Sequence, residues 1–339
     1  MTGIITRTMA TTMTKMSIAL MLALSTSSVY AAQDNAYHHE AELSFLDSDD
    51  SDDGGDGLVN ANYRYYFKAV EQADKPYALA GFFHQGSTVA ARYATTDVED
   101  LYNISGEYVF DSKWFIGAEV SQLNIEEDNY SSRPDSFTTY SANLGYFFTD
   151  HSALTLNYSR MSESESSSFT SATYNSEGYI SRDLDVFNLT YEHFISLQST
   201  AGVMLTGKFT YSDDQYTINS SSTAIDNLGQ VTIRDSKIYM GYNNYNLAIN
   251  ADWYINNAWS VGANVEQRYL DTSYNFSDTS FDNQGDNDQT DTYTGINTRY
   301  VWRFADVFSA KFSLDHSYFN GEYDNDSQTS FSIGINARF

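Results

Sequence analysis

The chain has 339 residues, no cysteine, 2 prolines, and 45 acidic against 18 basic residues, for a formal net charge of −27. That balance opposes nucleic-acid binding, which depends on Lys and Arg neutralising phosphates, and the missing cysteines remove a disulfide-stapled scaffold. Aromatics make up 16% of the chain, with 28 Tyr and 21 Phe, and the mean hydropathy is −0.45. This mixture favours strands, because aromatic residues suit sheets and Pro cannot donate to a ladder.

At the start, Arg7 and Lys15 precede an apolar run from Ile18 to Leu24, followed by Val29-Tyr30-Ala31. A basic segment, a short apolar segment and small residues two apart form a secretory signal. Cleavage is expected after Ala31, with Met9, Met13 or Met16 as alternative starts, leaving residues 32–339 as one mature domain. The apolar run is about half the ~20 residues a spanning helix needs.

From there, apolar and polar residues alternate with period 2 through the chain, as a barrel wall between lipid and water requires. Leu154, Leu156 and Tyr158 alternate with Thr155, Asn157 and Ser159. Phe187, Leu189 and Tyr191 alternate with Asn188, Thr190 and Glu192. Trp259, Val261, Ala263 and Val265 share a face, as do Phe308, Ala310, Phe312 and Leu314. In the final segment, Phe331, Ile333, Ile335, Ala337 and Phe339 oppose Ser332, Gly334, Asn336 and Arg338. A terminal Phe with apolar residues at every second position resembles the strand by which outer-membrane barrels are recognised for assembly. Phe331, Ile333, Ile335 and Phe339 are therefore the expected contact for the barrel-assembly machinery.

Connections alternate in length. Short turns are expected at Glu71–Lys75, Asp111–Lys113, Thr149–Ser152, Leu197–Thr200, Asn256–Ala258 and Ala305–Val307. Long polar loops are expected at Asp47–Gly57, Ala94–Asp100, Glu126–Asp135, Ser162–Ser181, Ser212–Asp235, Asp271–Asp291 and Asn320–Ser327. These connections give an all-β, transmembrane, antiparallel up-and-down barrel of about fourteen strands, with twelve to sixteen allowed and the stretch from Ala78 to Tyr93 the least clear. Trp114, Trp253, Trp259 and Trp302 all lie beside short turns, joined by Phe110, Tyr146, Phe147, Tyr254, Phe304 and Phe308, which sets an inner aromatic girdle there.

The face opposite the apolar one carries Glu42, Glu107, Glu119, Glu192, Asp252, Glu266 and Asp315 against Arg64, Lys208, Arg268, Arg299, Arg303, Lys311 and Arg338. So many ionisable groups cannot be buried dry without a large desolvation cost. They are the candidate lining of a polar channel, whose opposed charges set selectivity for small solutes or ions. A narrow barrel closed by its own ion pairs is the alternative.

Tyr63-Arg64-Tyr65-Tyr66-Phe67, then Val70, Pro76 and Ala78-Leu79-Ala80-Gly81-Phe82-Phe83, resemble a family of general porins of gammaproteobacteria. That resemblance implies passive passage of small hydrophilic solutes across a Gram-negative outer membrane, with no catalytic residues. The acidic run Asp47–Gly57 lacks the spacing of the twelve-residue calcium loop and has no Glu at its twelfth position. It reads as a solvated loop, bridged by divalent ions to lipopolysaccharide phosphates. His38, His39, His84, His151, His193 and His316 stand in no catalytic motif, so neither an enzyme, a cofactor nor a resident metal is expected. The rival function is a surface recognition barrel with a closed lumen, its acidic loops binding ligand.

Overall fold

A computed structural model describes residues 36–49, 57–72, 75–125, 136–171, 173–225, 228, 230–278, 281–321 and 325–339. The expected signal segment, most of Asp47–Gly57 and nearly all of Glu126–Asp135 lie outside these residues.

Fourteen antiparallel strands close on themselves in sequence order. They are β1 (Ala36–Ser48), β2 (Leu58–Glu71), β3 (Thr88–Thr95), β4 (Glu99–Val109), β5 (Trp114–Ile125), β6 (Ser136–Thr149), β7 (Ser152–Thr170), β8 (Tyr174–Ile195), β9 (Gly202–Ile225), β10 (Val231–Tyr254), β11 (Trp259–Asp278), β12 (Phe281–Arg303), β13 (Phe308–Asn320) and β14 (Asn325–Arg338). Closure runs through β1 and β14, with Leu43 opposite Ile335 and Phe45 opposite Ile333, so neither strand keeps an open edge. For fourteen strands about 4.8 Å apart and tilted about 40°, the backbone cylinder is about 28 Å across.

Residues paired across a ladder share a face, so the register carries one face around the wall. Glu107 pairs with Gly117, Gly117 with Asn143, Asn143 with Asn157, Asn157 with Asn188, Asn188 with Thr210 and Thr210 with Asn246; Asn246 pairs with Arg268 and Arg268 with Asp291. This row points inward. The rows on either side of it, with Ile116, Leu156, Leu189, Phe209 and Leu247 exposed, point outward.

Two aromatic girdles bound the outward apolar band. Beside the short turns lie Trp114 with Tyr146 (ring centroids 5.1 Å) and Trp302 with Phe304 (5.7 Å). A second girdle, not anticipated from the sequence, runs at the far side of the band. Tyr158 meets Phe187 at 4.8 Å, Phe187 meets Tyr211 at 6.4 Å, Tyr211 meets Tyr245 at 5.1 Å and Tyr245 meets Tyr269 at 6.2 Å. Along β10, Trp253 and Tyr245 mark the two girdles. Eight residues at about 3.4 Å, tilted about 40°, span roughly 20 Å, close to the apolar height of a spanning barrel.

The connections correct several expectations. Ser162–Ser181, Ser212–Asp235 and Asp271–Asp291 are mostly strand: their described residues form the upper halves of β7–β12, paired as far as Thr170 with Asn175, Ile225 with Val231 and Asp278 with Phe281. Their backbone groups bond to each other rather than to water, and lateral pairing holds them above the band. Ala94–Asp100 contracts to a turn between Thr95 and Glu99, closed by Thr96 N–H donating to Glu99 O at 2.9 Å. The expected short turn Glu71–Lys75 is instead a longer connection between Glu71 and Thr88, with a 3₁₀ turn at Tyr77–Leu79 and a helix, α1 (Ala80–His84).

Candidate solute path and its inward-folded plug

The connection between β2 and β3 folds into the barrel at the short-turn rim. Pro76 O accepts from Leu79 N–H at 2.9 Å, which turns the chain inward. One turn of helix follows and stops at Gln85, whose φ of 48° and ψ of 43° are left-handed. Two consecutive phenylalanines, Phe82 and Phe83, then face wall residues from several strands. Phe82 packs on Phe115, Phe147 and Ala153, while Leu79, Phe82 and Phe83 pack on Phe194, Met204 and Tyr254. Phe83 meets Phe194 edge-on at 5.0 Å and His151 at 5.6 Å, and the Lys75 ammonium lies 5.4 Å from its ring centre. On the other side, Ala80 joins Tyr37, Tyr66 and Val70 in a buried cluster.

Polar contacts pin the same segment. Tyr77 N–H donates to Asn257 O at 2.8 Å, the Arg303 guanidinium lies 5.2 Å over the Tyr77 ring, and Gln85 Nε2 donates to Thr149 O at 2.9 Å. Gly81 permits the approach to β2, since a Cβ there would stand 2.9 Å from Tyr66 Oη. Gly202, at φ +145°, does the same for the Phe194 ring, which a Cβ would meet at 2.4 Å. The plug therefore bridges the rim from β1 and β2 to β5–β10. Phe147 and Tyr254 belong to this plug seat and not to the lipid girdle. Their neighbours Tyr146 and Trp253 point outward, so period 2 turns them in.

All fourteen sequence-predicted charged residues lie on the inward face. Lys311 bonds Glu42, and Asn246 bonds Glu266. Arg299 stands between Asp252 (3.7 Å) and Asp315 (3.9 Å). Arg338 pairs with Glu40 at 2.8 Å and covers the Tyr37 ring at 5.0 Å, while Glu40 also accepts from Tyr66 Oη at 2.9 Å. Arg64 lies 6.0 Å from the Tyr66 ring centre, and Glu107 accepts from Asn143 Nδ2 at 3.2 Å. Arg303 sits at the plug. Glu119, Glu192 and Lys208 have no ion-pair partner among the described residues. The structure thus divides the set into charges held by side-chain partners along β1, β2, β4 and β10–β14, and charges with no ion-pair partner among the described residues along β5, β8 and β9.

Several participants escaped the sequence reading. Asp291, expected in a loop, is fully buried on β12 and accepts from Arg268 Nε at 3.1 Å, Arg268 Nη2 at 2.5 Å and Gln289 Nε2 at 2.7 Å. Glu40 anchors the closing strands. Higher up, Arg182 grips Asp214 through two bonds of 3.0 and 2.7 Å. Strand alternation could have placed all of these, had the strands been drawn to their full length. At the closing seam, Phe331, Ile333 and Ile335 are exposed outward, while Phe339 is buried against the His39 ring at 5.1 Å and its N–H donates to His39 O at 3.0 Å.

No protein-family model and no curated protein matches this chain. Among solved structures, the outer membrane protein Omp33 of Acinetobacter baumannii is similar over 91% of this chain and 100% of its own, at 15% identity and a TM-score of 0.49. The ferric citrate transporter FecA is similar over 85% of this chain but 45% of its own, at 10% identity and a TM-score of 0.45. A loop L8 deletion mutant of OmpT, an outer membrane protein of Vibrio cholerae, is similar over 90% of this chain and 100% of its own, at 11% identity and a TM-score of 0.41. At such identities no solute and no residue role carries over to this chain, whose architecture is that of a closed fourteen-strand antiparallel barrel.

Proposed function

We propose that this chain is a porin of a Gram-negative outer membrane, delivered there after loss of residues 1–31. In this reading small hydrophilic solutes or ions diffuse through its polar lumen, and the plug between β2 and β3 sets the flux. The observation that carries it is the inward face between the two girdles, which is polar on every strand and includes Glu119, Glu192 and Lys208 with no ion-pair partner among the described residues. Polar and charged side chains with no partner in the wall favour hydration of the lumen, and a wet lumen is a path for ions. The plug is held mainly by ring contacts and a few hydrogen bonds rather than by a strand ladder, so it can leave without breaking the wall.

The path prefers cations in this reading. Outward Asp185, Asp213 and Asp271 stand just beyond the upper girdle, and the sequence Asp47–Gly57 adds six Asp, so this end of the barrel is acidic and raises the local cation concentration. In this reading the carboxylates of the Asp47–Gly57 run share divalent ions with lipopolysaccharide phosphates. The terminal strand β14 would supply the assembly signal.

A second reading, surface recognition with a closed lumen, draws on the hairpins. From Asp213 to Ile225, β9 continues for about 40 Å of strand above its girdle residue Tyr211, far more than a pore needs. Single-channel recording on the refolded mature chain decides between them. Stepwise, cation-preferring conductance supports the porin, and a folded but silent barrel that stays silent without residues 76–86 refutes it.

A further inference from the structure

Above the upper girdle the alternation changes phase. Within the band β9 turns Leu205, Phe209 and Tyr211 outward and Thr206, Lys208 and Thr210 inward. Beyond it, Asp213, Gln215 and Thr217 face out and Tyr216 and Ile218 face in. β8 does the same, with Asp183 and Asp185 outward against Ile180 and Leu184 inward, and β10 follows with Met240 and Tyr242 inward. Once lipid no longer covers the outside, the apolar residues have moved to the lumen side.

These inward residues do not close on one another as a filled core. With Leu101, Leu123, Phe137 and Met161 they line a cavity of about 890 Å³ across β4–β10, and most of them stay half-buried. That volume lies in the range of small-molecule sites, which are mostly apolar with a few placed polar groups. The charged groups on its wall are Glu99, Arg182 and Asp214. Arg182 is already bound to Asp214, so the surplus is one carboxylate. Tyr216 and Tyr242 also line the cavity, and the quadrupole of an aromatic ring attracts cations.

We propose that this outer vestibule binds small organic cations with an aromatic or branched aliphatic body, concentrating them above the polar lumen. The proposal deepens the porin reading by naming a solute class, although the binding itself requires no conduction.

Benzyltrimethylammonium tests it against tetramethylammonium, which has the charge without the ring, and benzenesulfonate, which has the ring with the opposite charge. Affinities are read by saturation-transfer NMR on the folded mature chain, and block of conductance is recorded in parallel. A half-covered benzyl group removes on the order of 60–80 Å² of apolar surface from water, which corresponds to roughly 10- to 30-fold tighter binding than tetramethylammonium. Benzenesulfonate should bind more weakly than either cation. The pair Met240→Gln and Ile218→Thr, which puts polar atoms in place of apolar ones, lies above the lipid band, and in heat-modifiable protein it should bring the two ammonium affinities together. A second variant, Leu123→Asn on the opposite wall, should act in the same direction. Equal binding of the two ammonium ions, an unchanged ratio in both variants, or sulfonate binding as tight as benzyltrimethylammonium would each overturn the proposal. A silent channel with the expected binding ratios would refute the porin reading and leave the vestibule standing.

Discussion

Replacing both Phe82 and Phe83 by Ala should unseat the plug while leaving the wall intact. A buried Phe→Ala costs about 3–5 kcal/mol in a full core. Both rings are partly buried here, so about 2 kcal/mol each is the appropriate scale. They touch each other at 5.4 Å and share Phe194 as a partner, so the two losses do not add fully. A combined loss of about 3 kcal/mol shifts the ratio of seated to released plug by roughly 150-fold. Neither residue pairs in the β ladder, so heat-modifiability and the yield of folded barrel should stay at wild-type levels. The assay is single-channel recording, with open probability as the readout. Phe187→Ala, which removes a lipid-facing ring of similar size, serves as control. The variant should show a large rise in open probability and the control none. A reversible lock checks the same point from the other side. Tyr77→Cys with Asn257→Cys bridges two residues already joined by a 2.8 Å backbone bond, in a chain with no cysteine of its own. Oxidation should hold the pore shut and reduction should release it. Identical open probability for wild type, the double alanine variant and both redox states of the lock would refute the view that this segment controls the path.

Deleting Phe339, or placing Asp at the outward Ile335, should lower the amount of heat-modifiable barrel in the membrane, the Asp by costing up to ~2–4 kcal/mol near mid-band; normal amounts and mobility in both would remove β14 from the assembly argument. Replacing the six Asp of the Asp47–Gly57 run by Asn should reduce cation preference, read as reversal potential under a KCl gradient. That difference should fade as salt rises, because the Debye length falls from ~10 Å at 0.1 M to ~3 Å at 1 M. Burial, then Lys68 and Lys75, lower the His84 pKa below its usual 6.5. A histidine with a lowered pKa leaves the seated plug unaffected above the unfolded pKa and destabilises it as pH falls below that value, because the released state then takes up the proton more readily. Open probability should therefore rise on acidification below about 6.5, and a His84→Gln variant should flatten the profile. A flat wild-type profile would contradict this account.

How much of this was legible beforehand follows from where lipid lies. Period 2 can be read where one face meets hydrocarbon and the other water, as in Phe187, Leu189 and Tyr191 or in the last strand. The facing of the charged residues, the tryptophan girdle and the fourteen strands were accessible for that reason. Above the band no lipid enforces one apolar face: Ser162–Ser168 carries no apolar residue at all, and on β8–β10 the apolar residues change sides, so these runs read as loop although lateral pairing makes them strand. The plug was hidden for a different reason. Phe82-Phe83 and Tyr146-Phe147-Phe148 place rings at successive positions, where period 2 cannot say which ring faces the lumen. The stretch Tyr63–Phe67, Val70, Pro76 and Ala78–Phe83, which carried the porin resemblance, turns out to be the end of β2 and the plug itself. Its phenylalanines answer to inward rings contributed by strands far away in sequence, and no local pattern contains that information.

In the proposed porin the barrel stacks three different controls along one axis: an apolar vestibule beneath an acidic end, a polar belt between the girdles, and a ring-packed plug at the short-turn end. They act on separable quantities. Loosening the plug should raise the flux of every solute by a common factor, because it gates after selection has occurred. Polar substitutions in the vestibule should instead change the ratio between solutes with and without an apolar body, at constant open probability. Neutralising Lys208 or Glu192 should move the charge preference alone, since neither has an ion-pair partner among the described residues to disturb. Double variants across two zones should then behave additively, as sites with no shared partners do. A strong interaction between Met240→Gln and Phe82→Ala, which lie at opposite ends of the lumen, would mean that occupancy of the vestibule is felt by the plug and that the path is gated by its own solute.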